Sequence, residues 1–158
     1  MLLYRVPESL NRQIGDRLKA GLVRIIFRQL GLDDWTSERV LRERDRRNYP
    51  IPTGELKIGN KKIAIHLERV RKRPIKEYEL LFQDYLRNYD RVWMIVDWEI
   101  GDFLLKARKE FKSLWPKVWF ANYGEFVKSG AETRFCSYEG ESFLLRDFVS
   151  ELKGVNQV

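Results

Sequence analysis

Residues 50–76 read PIPTGELKIGNKKIAIHLERVRKRPIK: a short strand, a Gly59-Asn60 turn, a second strand, and a dense basic run that opens a helix. A Gly-Asn pair between two strand-like runs is a hairpin signal, because glycine takes the positive φ that tight turns demand. Side chains alternate across a strand, so Ile63, Ile65 and Leu67 share one face and Ala64, His66 and Glu68 the other. On the first strand Thr53, Glu55 and Lys57 lie together, with Leu56 and Ile58 opposite. The hairpin is therefore expected to bury its apolar side and to present a polar side carrying Glu55, His66 and Glu68. His66 is the only histidine in the chain. Oxygen and imidazole donors beside a basic run are the materials of a metal-dependent phosphodiester site.

Outward from the hairpin, the patterns alternate between helix and strand. Pro7-Glu8-Ser9 opens a helix to about Gly31, with Leu10, Ile14, Leu18, Leu22, Ile25 and Ile26 as its apolar stripe. A connector with a short strand around Trp35 leads to a short helix over Glu38–Arg44, then to the basic loop Arg46-Arg47-Asn48. After the hairpin, Pro74 suits a first helical turn, where its missing amide costs nothing. Tyr78, Leu81, Phe82, Tyr85, Leu86 and Tyr89 then recur at helical spacing, a stripe read as core rather than as a base-stacking surface. Arg91–Asp97 has an unbroken apolar middle and reads as a buried central strand. A helix over about 99–114, a strand over 117–121, a turn or two of helix over 123–128, a short strand over 133–138 and a closing helix over 142–152 complete the chain. Helical crossovers beside an antiparallel pair predict an α/β fold with a mixed central sheet flanked by helices.

With 158 residues, 44% of them hydrophobic, the chain suits one domain (1–153) followed by a frayed tail (154–158). An aromatic content of 13% argues against disorder. Cys136 is the single cysteine, which excludes an internal disulfide and fits a reducing, cytoplasmic setting. No run approaches the roughly 20 apolar residues of a membrane span, so a soluble protein without a membrane partner is expected. Residues 1–76 hold 19 Lys/Arg against 9 Asp/Glu, whereas residues 77–158 hold 11 against 14. Within Lys61–Lys76 seven basic residues face one acid. Charge concentrated in this way suits a polyanion, most economically nucleic acid. A solvated surface rich in Lys, Arg and Glu is the plainer account of the same composition.

In order, Ser37-Glu38-Arg39-Val40-Leu41, Pro52-Thr53-Gly54, Ala64-Ile65-His66-Leu67-Glu68, Arg71-Lys72, Tyr78, Tyr85 and Tyr89-Asp90-Arg91-Val92-Trp93 resemble the replication-relaxation proteins of plasmids and other mobile elements. That family is similar to the PD-(D/E)XK nuclease superfamily, so the resemblance implies a restriction-endonuclease-like core. It also implies two carboxylates that bind magnesium, one just after the proline and one on the second hairpin strand. Here Thr53 and His66 occupy those places, and only Glu68 matches directly. Glu55 lies on the same face as Thr53 and offers a replacement; Glu55, His66 and Glu68 would then make a mixed site for manganese, magnesium or zinc.

The cationic side of the site is intact: Arg69, Arg71, Lys72, Arg73 and Lys76 close the hairpin and open the helix, and Arg46 and Arg47 extend the surface. Three functions follow from these residues. The first is a nuclease-fold protein that binds nucleic acid, most economically DNA, without cutting it, in plasmid or mobile-element replication. The second is an active metal-dependent nuclease using Glu55, His66 and Glu68. The third is a protein-interaction or assembly module whose basic face meets an acidic partner; a homodimer is compatible with each of the three.

Overall fold

The apolar run Val92–Val96 is fully enclosed, and every other strand is arranged outward from it. In this computed structural model, which describes residues 8–44, 50–71, 73–111 and 117–154, strand β4 (Arg91–Val96) pairs in parallel with β3 (Lys61–Glu68) and β5 (Val118–Asn122). A strand covered on both faces needs apolar side chains on both, which is why β4 does not alternate. On one flank β3 continues antiparallel into β2 (Gly54–Ile58) and β2 into β1 (Trp35–Ser37). On the other flank β5 continues antiparallel into β6 (Arg134–Cys136) and β6 into β7 (Ser142–Leu144). Strand order along the sheet follows chain order throughout.

Helix α3 (Ile75–Leu86) links β3 to β4, and α4 (Gly101–Glu110) links β4 to β5. Both cover one face, where Tyr78, Phe82, Tyr85 and Phe103 pack on Val92, Met94, Val96 and Phe120. Helices α1 (Glu8–Gln29), α5 (Tyr123–Ser129) and α6 (Leu145–Gly154) cover the other, with Phe27, Phe126 and Phe148 against Ile63, Ile65, Trp93 and Trp119. The short α2 (Glu38–Arg44) follows β1 and buries Leu41. The molecule is thus one α/β domain, a mixed sheet between two helical layers, as its sequence predicts. Among the described residues no helix is long and apolar enough to cross a membrane.

Local chemistry explains the boundaries. After α1, Gly31 adopts φ 79° while Leu32 N donates to Phe27 O and Gly31 N to Arg28 O, the paired bonds that close a helix at a left-handed glycine. Gly59 turns the hairpin at φ 60°. At Gly54 the Trp35 ring occupies the space a methyl group would take.

Three expectations are corrected. The stripe expected on α1 holds in part: Leu22 and Ile26 face the core, joined by Val23 and Phe27, while Leu18 and Ile25 are 69% and 52% exposed. The side chains of Leu10 and Ile14 lie outside the described residues. The closing helix does not begin at Ser142; residues 142–144 form β7, with Phe143 opposite Phe135, because Gly140 (φ 87°) turns the chain back on itself. The polar side of the hairpin does not face solvent, since α3 lies over it and Glu55, Ala64 and Glu68 are buried.

Candidate functional site

Strand alternation and the hairpin register place Glu55, His66 and Glu68 on one face, as the sequence predicts, together with Lys62. Above them runs α3, which carries Tyr78 and Tyr85, with Tyr89 just past its end. These tyrosines stand seven and then four residues apart and so line one side of the helical path. Each meets one polar residue of the sheet. Tyr78 Oη donates to Glu68 Oε2 at 2.6 Å, and Tyr89 Oη to Glu55 Oε2 at 3.3 Å. Tyr85 Oη lies 2.9 Å from His66 Nδ1, the donor following the tautomer of the ring.

Cations complete the neutralisation. Arg44 Nη2 donates to Glu55 Oε2 at 2.7 Å, and Lys62 Nζ is 3.7 Å from Oε1 of the same carboxylate. Arg73 Nη1 donates to Glu68 Oε1 at 3.4 Å. Glu55 is 0% exposed and Glu68 5%, so each carboxylate has lost its water and depends on these donors. Burial also pushes the Tyr85 hydroxyl well above the ordinary tyrosine range, against a smaller opposing pull from Arg73.

This arrangement spreads the three residues along the length of α3 rather than focusing them on a point. Among the described residues no three His, Cys, Asp or Glu side chains are grouped to hold a metal ion. The donor set of Glu55, His66 and Glu68 therefore does not fit the mixed metal site expected for it. Its carboxylates already serve two guanidinium groups, an ammonium group and two phenols. Thr53 does not stand in for a ligand either: its Oγ1 accepts from Leu67 N at 3.0 Å and ties the strand entry to β3.

The basic run divides into two groups. Arg73 is spent on Glu68 and lies 6.0 Å from the Tyr78 ring centre. Arg69, Arg71 and Lys76 are exposed where β3 ends and α3 begins, with the Arg71 guanidinium 5.5 Å from the Phe103 ring centre. Arg69 runs beside α1, since a side chain built on Gly15 would come within 3.3 Å of its Nη1. Pro74 precedes α3 without a side-chain cap, and of the first-turn amides Glu77 N donates to Pro74 O at 3.0 Å. Lys72, Arg46 and Arg47 lie outside the described residues.

Other residues at the carboxyl ends of the parallel strands carry no signal in the sequence. Asp97, just past β4, accepts from Lys19 Nζ of α1, and the same ammonium sits 4.5 Å from the Tyr123 ring centre. The pairing of β3 with β4 brings Asp97 N to Glu68 O at 3.0 Å, but the two carboxylates stand on opposite faces of the sheet, and no spacing in the chain announces this. Compared with known proteins, the sequence matches no family model, and neither a curated protein nor a solved structure matches it significantly.

Proposed function

We propose that this protein binds nucleic acid, DNA above all, through the cationic end of β3 and α3, and does not cut it. The observation that carries this reading is the contrast between Glu55 and Glu68, buried and neutralised internally, and Arg69, Arg71 and Lys76, exposed beside them. Phosphates are attracted to such a cluster at the positive end of a helix dipole, while a metal would have to displace arginines from both carboxylates. The order α1-β1-α2-β2-β3-α3-β4 within a mixed sheet also supports the resemblance to the nuclease superfamily and, through it, a place in mobile-element replication. Phosphate contacts of this kind position a duplex and read little of its sequence.

The test is a gel shift and a cleavage assay on duplex and branched DNA, with and without magnesium, manganese or zinc, over a salt series. Binding should weaken steeply with salt. The R69E/R71E/K76E variant should weaken it for all sequences and flatten the salt slope by about 0.9 for each phosphate no longer neutralised. Metal-dependent cleavage abolished by E68Q would establish an active nuclease instead. Absence of binding at low salt would favour the protein-interaction module.

A further inference from the structure

At the end of the sheet where β4 and β5 begin, opposite the cationic end, a cavity of about 180 Å³ opens beneath α6. Its aromatic wall is built from Trp119, Phe143 and Phe148. The ring centres of Trp119 and Phe148 are 4.7 Å apart, those of Phe143 and Phe148 5.1 Å, and those of Trp119 and Phe143 5.4 Å, all at steep mutual tilts. Trp119 and Phe148 are buried, but Phe143 on the edge strand β7 is 41% exposed at the mouth. Glu141 and Glu151 line the same cavity, and neither carboxylate has an ion-pair or hydrogen-bond partner among the described residues. Among the described residues Arg91 is the one cation in the lining, and it donates to the Asp90 carbonyl at 2.8 Å.

We propose that this cavity binds an arylalkyl ammonium ion, a monocation with an apolar body about the size of one six-membered ring. Three features fix that chemistry. A cavity of roughly 150 Å³ is enough to hold benzene, so the observed volume takes one ring, with its charged arm left at the open mouth beside the exposed glutamates. Two carboxylates against one guanidinium leave a formal charge of −1, which one ammonium group balances. The ring of Phe143, exposed at the mouth, is free to attract a cation that settles over it. A phosphate-bearing ligand meets the opposite sign here, so this site is independent of the nucleic-acid reading.

The experiment titrates the full chain with benzylammonium, and with benzyl alcohol and benzoate as its neutral and anionic counterparts, by calorimetry and tryptophan fluorescence. Saturable one-to-one binding is expected for benzylammonium, weaker binding for the alcohol and none for benzoate. The E141Q/E151Q variant alters two exposed side chains and should keep the native circular dichroism. It should bind benzylammonium about tenfold more weakly, the scale of a lost charge pairing, while binding benzyl alcohol as before. F143S should weaken both ligands. An amino-terminal phenylalanine carries the same ring and ammonium, so Phe-Ala-Ala amide is titrated alongside, and the tighter of the two identifies a free amine or a peptide end as the source. Equal binding of all three benzyl compounds, or no effect of E141Q/E151Q, would overturn the proposal, as would the absence of saturation.

Discussion

The partners of Glu68 include two side chains of quite different kind, a phenol at 2.6 Å and a guanidinium at 3.4 Å. Removing the phenol by Y78F leaves a buried acceptor short of a donor and should cost about 1–2 kcal/mol in urea denaturation. E68Q should couple to Y78F in a double-mutant cycle, because one interaction lies behind both losses. Tyr85 makes a prediction of another sort. Burial raises its hydroxyl above the ordinary 10.0, so the folded state holds that proton longer than the unfolded chain does. Its contribution is whole below pH 10.0 and is lost as pH climbs from there through the folded-state value. Stability should therefore fall on the alkaline side above pH 10.0, and Y85F should flatten that part of the curve. At this scale the chain is partly legible. Alternation puts Glu55, His66 and Glu68 on one face, but it says only that two faces differ, never what covers them. Spacing marks the tyrosines as core, and nothing in spacing reveals that their hydroxyls meet polar groups of the hairpin.

Elements whose local chemistry is strong are plain in the sequence. Gly59-Asn60 sets the hairpin, Val92–Val96 the central strand, and Glu38–Arg44 a helix with both ends correct. The failures fall where local signals are short or symmetric. Ser142–Leu144 is too brief to show a period, and only its pairing with β6 makes it a strand. On α1 several apolar residues offer more than one candidate face, and packing selects Val23, Ile26 and Phe27. Gly54 supplies the test at this scale. A methyl group there would be driven into the Trp35 ring, so G54A should lower stability by about 1–3 kcal/mol in thermal unfolding. The cost should shrink when Trp35 is also replaced by alanine, because the obstructing ring is then gone.

Across the whole molecule, charge and layer order coincide. The basic first half supplies the exposed arginines at the end of β3, while the acidic second half supplies Glu141 and Glu151 at the opposite end. The row of tyrosines has a further consequence, for motion. Lifting α3 away from the sheet would strip Glu55 of Tyr89 and Glu68 of Tyr78 in one event, and open both to a half-dry cleft. No partial opening of that layer is cheap, so helix and strand should breathe together or not at all. Amide hydrogen exchange should find Ile63–Glu68 and the interior turns of α3 exchanging as one unit, close to the limit set by global unfolding. In Y78F both segments should quicken in step, by no less than the factor its loss of global stability sets.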